Sequence, residues 1–270
     1  MEKISELVDE MRASGHRVQE FHNSGDPKTL INELPIRIGP DSQKGIILRG
    51  DTYAELGNPS AGSSALVMWT TDTRLVKDGR VTLVGPDMEE AGTTKLPLGQ
   101  VIIVGGASLS RAEQTLLEQK QYISSLVEGY MVKSSPGRVW SRVSKSIAEK
   151  GFDFEMLGKA LIAILKTEIP KIESMEVLFV TSGKNEIKQL EGVVDQVRVL
   201  SKAFRRDAWR DKGFDLVDCN MGTDCSSCDE EPTCDDIKDV VKIRREKKDD
   251  LWATGDGDDL IQVEEKTGEG

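Results

Sequence analysis

The stretch that decides the fold is FDFEMLGKALIAILKTEIPKIESMEVLFV, residues 152–180, because it places an apolar helix directly before a strand. Asp153 is suited to cap the first turn of that helix, and Pro170 must follow its end because proline cannot continue a helix. The helix is apolar on nearly all sides over LGKALIAIL, which predicts that it is buried. MEVLFV has the length and composition of a strand.

Strand-like runs precede this stretch, and a long polar helix is predicted after it, from about 185 to 209. TRLVKDGRVTLVG, residues 73–85, predicts a β-hairpin with Lys77-Asp78-Gly79 at the turn, because Asp-Gly supplies the positive φ that tight hairpins require. The other runs are short, apolar or alternating, and bounded by Gly, Pro or Asp: LPIRIG (34–39), GIILRG (45–50), SSALVMW (63–69) and QVIIVGG (100–106).

Three more helices are predicted from apolar spacing and capping residues. Residues 1–24 favour one amphipathic helix, a second helix is expected from Ser108 or Ser110 to about 128, and a third over 138–150. Strands and helices do not alternate along the chain, as a doubly wound fold would require. The sequence therefore predicts an α+β fold in which a mixed sheet packs against helices.

Composition limits the partners that this chain can have. The 270 residues include 47 acidic and 36 basic side chains, and the formal net charge of −11 opposes non-specific binding to nucleic acid or to an anionic membrane. No apolar run approaches the roughly 20 residues that span a bilayer, and the charged first residues lack a signal-peptide pattern. We expect a cytoplasmic protein that binds neither nucleic acid nor membrane.

Changes in composition predict four segments. Residues 1–29 would form the N-terminal helix and a linker, and 30–205 the α+β domain. Residues 206–248 would form a small four-cysteine metal module. The remaining 249–270 are rich in acids and glycine, which predicts a disordered tail.

All four cysteines of the chain lie in CNMGTDCSSCDEEPTC, residues 219–234. Cys225 and Cys228 form a C-x2-C knuckle, and the flanking loops are long enough for Cys219 and Cys234 to close around the same centre. In a reducing cytoplasm this clustering indicates a metal site rather than disulfides. The compact spacing favours an iron–sulfur cluster, with zinc and four free thiols as alternatives.

The surroundings of these cysteines are strongly acidic. No cation lies between Asp218 and Asp236. Negative charge beside a cluster disfavours the addition of an electron, so an iron–sulfur centre at this position is expected to have a low reduction potential.

RVWSR, residues 138–142, begins the helix predicted at 138–150. On a helix, Arg138 and Arg142 would share one face and would be suited to pair with phosphate groups. The alternative is a core position for Trp140 beside a solvated arginine face.

Three long stretches of the chain resemble one protein family. Their shared features include Pro97 and Gly99 at a strand entry and a W-x-R-x-S-K run at 140–145. The stretches are GRVTLVGPDMEEAGTTKLPLGQVIIVGGASL, RAEQTLLEQKQYISSLVEGYM and RVWSRVSKSIAEKGFDFEMLGKALIAILKTEIPKIESMEVLFVT. Over about residues 50–185 the chain resembles the central α+β domain of the beta subunit of the carbon monoxide dehydrogenase/acetyl-CoA synthase complex.

The resemblance implies a function in anaerobic one-carbon metabolism. That family joins a methyl group from a corrinoid protein, carbon monoxide and coenzyme A into acetyl-CoA at a nickel–iron–sulfur cluster. Because the cysteines follow the matching domain, the resemblance implies that they hold a [4Fe–4S] cubane. The family's Cys-Gly-Cys nickel ligands have no counterpart in this sequence, so nickel would need ligands from another chain. The candidates for the family's coenzyme A path are Arg138, Trp140 and Arg142.

Two other functions remain open. A non-catalytic subunit would carry low-potential electrons and dock on a corrinoid protein or a dehydrogenase subunit. A zinc-stapled interaction domain would use the same cysteines structurally. Each of these hypotheses includes a protein partner, and none assigns a catalytic residue.

Overall fold

The computed structural model of this protein describes residues 2–210, except 24, 40–41, 43–45, 91–94, 110, 122–125 and 136. The strands within these residues are β1 (Val18–His22), β2 (Thr52–Leu56), β3 (Ser63–Thr70), β4 (Arg80–Val84), β5 (Lys95–Leu96), β6 (Leu98–Gly106), β7 (Tyr130–Ser135), β8 (Arg138–Ser144) and β9 (Ile172–Val180). The α-helices are α1 (Glu2–Ala13), α2 (Pro27–Asn32), α3 (Arg111–Lys120), α4 (Lys145–Ala148), α5 (Phe154–Glu168) and α6 (Lys184–Arg210).

The strands form two mixed sheets. The larger sheet has the order β1-β4-β9-β6-β3, with β4 parallel to β9, β3 parallel to β6, and β6 antiparallel to β9. The smaller sheet has the order β5-β2-β8-β7, and β8 is antiparallel to both of its neighbours. The predicted α+β class, with a mixed sheet and packed helices, is confirmed for the described residues.

The central strands of the larger sheet are buried on both faces. In β9, Val177 and Phe179 belong to a core that includes α5, whereas Leu178 and Val180 belong to a second core that includes α1 and α6. Successive side chains of a strand point to opposite faces. The alternation therefore places α5 on one face of the sheet, and α1 and α6 on the other.

The helix α5 has the bounds that its sequence predicts. Asp153 accepts a hydrogen bond from the Met156 amide at 2.8 Å, and the helix ends at Glu168, before Pro170. Gly158 faces β4, where a Cβ atom would lie 2.5 Å from Val81 Cγ2. The absence of a side chain thus lets α5 approach the sheet closely.

The single helix predicted over residues 1–24 is wrong beyond Ala13. After Gly15, which has a φ of +88°, the chain enters β1, an edge strand antiparallel to β4. The helical period that favoured the longer helix ends at Met11, and Val18 lies in the strand instead. A positive φ at Gly15 is incompatible with a continuous right-handed helix.

The hairpin predicted at 73–85 is also wrong. Residues Thr73–Leu75 form a 3-10 turn, and only the second half of the segment is a strand. The Gly79 amide donates to the Met175 carbonyl at 2.9 Å, and the Asn23 amide donates to the Gly79 carbonyl at 2.9 Å. The turn at Gly79 therefore hydrogen-bonds to β9 and to the residue that follows β1. It does not join β4 to a preceding strand of a hairpin.

The helix predicted over 138–150 is mostly strand. The first seven residues of this segment form β8, and its helical part is the short α4. Val139 and Val143 are buried, whereas Trp140 between them is half-buried. This two-residue alternation is typical of a strand with one face in the core.

Three further predictions differ from the structure in extent or kind. Ile38 forms an isolated bridge with Val127, and residues 46–48 lie outside the strands, so LPIRIG and GIILRG do not form strands of the sheets. The helix predicted to reach 128 ends at Lys120. By contrast, β3, β6, β9 and the long α6 are found where the sequence predicts them.

The four cysteines of the predicted metal module lie outside the described residues. Within the part that the structure describes, no three or more His, Cys, Asp or Glu side chains are grouped to hold a metal ion. Over the same residues, every helix is too short or too polar to cross a bilayer. The four-segment division of the chain stays a prediction.

Candidate functional site

The three residues predicted to bind a cofactor, Arg138, Trp140 and Arg142, lie on one face of β8. Residues two apart on a strand share a face, so the strand groups them as the predicted helix would have grouped the two arginines. Lys133 of β7 is the cross-strand neighbour of Trp140, and Glu55 of β2 is the neighbour of Arg142. Charged and aromatic side chains therefore cover this face of the smaller sheet.

Glu55 holds the Trp140 indole in place. Trp140 Nε1 donates a hydrogen bond to Glu55 Oε1 at 3.0 Å, and Asn58 Nδ2 donates to Glu55 Oε2 at 3.0 Å. Only 12% of the Glu55 side chain is exposed. A partly desolvated carboxylate makes stronger hydrogen bonds than one in open water. The indole therefore has a fixed orientation on the sheet.

Arg142 contacts the same Glu55 oxygen that accepts the hydrogen bond of Trp140. Its Nε and Nη2 atoms lie 3.4 and 3.5 Å from Glu55 Oε1, and its Nη1 donates to the Ile47 carbonyl at 3.3 Å. The guanidinium carbon lies 5.9 Å from the centroid of the Trp140 ring, within cation–π range. Each of the three guanidinium nitrogens of Arg142 therefore already has an acceptor within the protein.

A cleft of about 300 Å³ opens beside Trp140. Its walls come from the loop after β2, the β7–β8 pair and the first turns of α6. The volume is at the lower end of the range for small-molecule pockets, about 300–1,000 Å³. The charged and aromatic side chains that line it are Lys133, Arg138, Trp140, Lys184, Lys188 and Glu191.

Positive charge predominates in this cleft. Of the described side chains that line it, four are cationic and one is acidic. Among the residues that the structure describes, no carboxylate lies within ion-pairing distance of any of these four cations. Such a concentration of positive charge in a chain of net charge −11 favours the binding of an anion.

Lys133 is held at the cleft wall by the indole. Its Nζ lies 5.5 Å from the centroid of the Trp140 ring, within cation–π range. Because Trp140 is fixed by Glu55, the ammonium group of Lys133 has a preferred position. The cleft is therefore partly organised for an anion in advance.

The loop that forms one side of the cleft is attached to β8. Gly57 has a φ of +66°, and a Cβ atom there would lie 2.0 Å from the Val139 carbonyl oxygen. Ser63 Oγ donates to that carbonyl at 2.6 Å and accepts from the Val139 amide at 2.8 Å. The attachment lies one residue before Trp140, so it holds the loop close to the indole.

Asp87 and Asp153 are among the carboxyl groups outside the cleft that have raised pKa values. Burial raises the pKa of Asp87, the hydrogen bond from the Met88 amide lowers it, and the Asp153 carboxylate raises it again. Burial also raises the pKa of Asp153 against the effect of its capping bond. Asp87 accepts from the Phe154 amide at 3.4 Å, so both groups serve the start of α5.

Sequence reasoning found two residues that line this cleft and missed three lysines. Arg138 and Trp140 belong to the quoted RVWSR motif, but Lys133 lies on β7, a strand that was not predicted. Lys184 and Lys188 begin α6, far from RVWSR in the chain. The position of Lys184 at the start of a helix, where a cation is unfavourable, was the available signal. Cys219, Cys225, Cys228 and Cys234 lie outside the described residues, and their binding of a metal stays a prediction.

Residues 34–186 match the family model of the CO dehydrogenase/acetyl-CoA synthase complex beta subunit. The chain belongs to this beta-subunit family. The resemblance stated from the sequence is thereby confirmed. The match includes β2 to β9 and the first residues of α6, and it ends before the cysteines.

Several curated members of the beta-subunit family are similar to this chain. The acetyl-CoA decarbonylase/synthase complex subunit beta 2 of Methanosarcina mazei is 30% identical over 201 residues, 74% of this chain and 41% of the relative. The subunit beta of Methanopyrus kandleri is 31% identical over 205 residues, 74% of this chain and 42% of the relative. The subunit beta 1 of Methanosarcina thermophila is 29% identical over 198 residues, which are 73% of this chain and 40% of the relative. The chain thus spans about two fifths of the length of these relatives.

Proposed function

We propose that this member of the beta-subunit family binds coenzyme A beside Trp140 and carries an iron–sulfur cluster, as part of acetyl-CoA and one-carbon metabolism. The observation that carries the proposal is the cleft itself. Its cations have no carboxylate partner among the described residues, and they surround a half-buried indole.

Coenzyme A suits this cleft because it combines a diphosphate and a 3′-phosphate with an adenine ring. Arginine and lysine bind phosphate oxygens through charge-assisted hydrogen bonds. Arg138 is exposed at the cleft and is proposed as one phosphate ligand, with Trp140 as an apolar wall. Arg142 is proposed to act through Trp140, since Glu55 and Ile47 already bind its guanidinium.

The similar proteins are named as subunits of an acetyl-CoA decarbonylase/synthase complex. We extend this to the chain as a proposal: it would act within a multi-subunit assembly and dock on a corrinoid protein or a dehydrogenase subunit. Its net charge of −11 supports a protein partner over a nucleic acid.

The second part of the proposal concerns the cysteine segment. Four thiolates are the usual ligand set of a [4Fe–4S] cluster, and they are also a common set for structural zinc. We propose Cys219, Cys225, Cys228 and Cys234 as the ligands of a cluster that would supply one-electron chemistry. The acids around the cysteines support a low potential for it.

The metal content of protein purified without oxygen tests the cluster. About four iron and four acid-labile sulfide per chain, with an EPR signal after dithionite reduction, would support a cubane. Nickel in addition would favour a catalytic centre, whereas its absence would favour an electron-transfer or accessory subunit. Zinc without sulfide would refute the cluster and indicate a structural staple.

Calorimetric titration with coenzyme A tests the cleft. Arg138→Ala should weaken binding by about tenfold to a hundredfold, since one charge-assisted hydrogen bond contributes about 1.5–3 kcal/mol. Arg37→Ala is a matched control, because 83% of the Arg37 side chain is exposed and it does not line the cleft. Absence of coenzyme A binding by the wild type would refute the proposal.

A further inference from the structure

We infer that Lys133, Lys184 and Lys188 join Arg138 in a site for a multiply charged phosphate group, either a diphosphate or a phosphate monoester. The inference rests on the proposed function, because coenzyme A carries both kinds of group. It assigns the recognition to residues on three different elements, β7, β8 and α6. Two of them, Lys184 and Lys188, are four residues apart at the start of α6.

Lys184 lies in the first turn of α6, at the end of a helix where cations are least favourable, and Lys188 lies one turn further on. α6 is 27 residues long and begins at Lys184. The first turn of such a helix carries a partial positive charge from its free amide groups, so carboxylates stabilise this end and ammonium groups do not. The presence of Lys184 at this position is therefore not explained by helix stability. An anion in the cleft would offset both the lysine charges and the helix dipole.

The sheet contributes two further cations to the same cleft. Lys133 lies over the Trp140 ring, and Arg138 is on the same face of β8 as Trp140. A side chain that is already held by a cation–π contact loses less conformational entropy when it binds a ligand. The guanidinium of Arg138 adds a planar fork that suits two phosphate oxygens.

Isolated exposed lysines are common and need no ligand to explain them. Here, however, the four cations converge on one concave surface from elements that are distant in sequence. Like charges in a cleft repel one another, and clefts with low-dielectric walls concentrate the field. Glu191 is the one acid among the described side chains that line the cleft. The arrangement is unfavourable when empty and favourable when a dianion or diphosphate is bound.

The test uses the full chain, purified without oxygen, in calorimetric titrations with coenzyme A. The double variant Lys184→Ala/Lys188→Ala should bind coenzyme A at least about tenfold more weakly than the wild type. Its affinity should also depend less steeply on salt, because fewer charges participate. Lys3→Ala/Lys28→Ala removes the same charge from exposed positions outside the cleft and should leave the affinity unchanged.

Competition identifies the phosphate group. Displacement of coenzyme A by inorganic pyrophosphate assigns the site to the diphosphate, and displacement by adenosine 3′-phosphate assigns it to the monoester. Equal affinity of the wild type and the Lys184/Lys188 variant would overturn the inference. All four substituted lysines are exposed, and far-UV circular dichroism checks that the variants are folded.

The outcomes also separate this inference from the proposed function. Coenzyme A binding that ignores the lysine substitutions would leave the proposed function in place and refute the phosphate site. Lysine-dependent binding of pyrophosphate without any binding of coenzyme A would support the phosphate site and refute coenzyme A as its ligand.

Discussion

Glu55 Oε1 accepts the hydrogen bond of Trp140 Nε1 at 3.0 Å, so one carboxylate atom on β2 sets the orientation of the indole on β8. The same oxygen lies 3.4 Å from Arg142 Nε. A single, largely buried carboxylate therefore supports two of the three residues that the sequence singled out as cofactor-binding. The cleft beside Trp140 depends on this support although Glu55 does not line it.

Removal of the Glu55 carboxylate should disturb both stability and the cleft. Glu55→Ala leaves the indole N–H and the Arg142 guanidinium without their acceptor, and we expect the free energy of unfolding to fall by about 1–3 kcal/mol. Glu55→Gln keeps an acceptor for the indole and should lose less. Chemical denaturation measures both variants, and equal stability of Glu55→Ala and the wild type would contradict the assigned role.

Two glycines in helices provide a matched pair for packing. At Gly158 a Cβ atom would lie 2.5 Å from Val81 Cγ2, whereas at Gly192 it would meet nothing within 4 Å. Gly158→Ala should therefore destabilise the protein by about 1–3 kcal/mol through overpacking. Gly192→Ala should stabilise α6 by about 0.5–1 kcal/mol, because alanine favours a helix more than glycine does. Thermal unfolding of the two variants should show shifts of opposite sign.

The raised pKa of Asp87 predicts a specific pH dependence. Above the ordinary value of 3.8, the folded protein retains a proton on this group that the unfolded chain has lost. The contribution of Asp87 to stability therefore falls as pH rises from 3.8 through the raised pKa. Asp87→Asn removes this loss, so the stability of the variant relative to the wild type should increase with pH over that window.

Asp26 supplies the control of opposite sign for the pH experiment. Its hydrogen bonds with Thr29 lower the pKa of its carboxyl below 3.8. The wild type then gains stability as pH rises through the lowered pKa towards 3.8, and Asp26→Asn should become relatively less stable over that range. Denaturation curves from acid to neutral pH that run parallel for all three proteins would contradict both assignments.

The cysteine segment allows a prediction that separates metal binding from folding. Cys225→Ser or Cys228→Ser should abolish the charge-transfer absorption of a bound cluster, because each removes one of four sulfur ligands. Ser226→Ala, between them, is the matched control and should retain it. Far-UV circular dichroism should change little, since the two described cores consist of residues before the cysteines. Full absorption in both cysteine variants would refute the ligand assignment.

The elements that sequence reasoning predicted correctly have strong local signals. α5 combines a capping Asp153, an apolar surface on nearly all sides and a proline just beyond its end. β6 and β9 are apolar runs that the structure buries on both faces. Such signals depend only on neighbouring residues in the sequence, so these elements can be predicted without knowledge of the tertiary structure.

The elements that were predicted wrongly have patterns that suit two structures. Arg138 and Arg142 are four residues apart, a spacing that places them on one face of either a helix or a strand. The pairing of β8 with β2 and β7 decides in favour of the strand, and that pairing is tertiary. β1 likewise follows from pairing with β4 after the turn at Gly15.

The cleft was predictable only in part for the same reason. RVWSR indicated one wall, whereas Lys133, Lys184 and Lys188 join it through the packing of β7 and α6. The contribution of Glu55 follows from its register opposite Arg142. Neither relationship can be read from spacing along the chain.

A structure of the full chain with coenzyme A bound tests the central claim most directly. The account predicts phosphate density in the cleft beside Trp140, within hydrogen-bonding distance of Arg138 and of the lysines at the start of α6. Coenzyme A bound elsewhere on the chain, or an unchanged cleft at saturating coenzyme A, would contradict it.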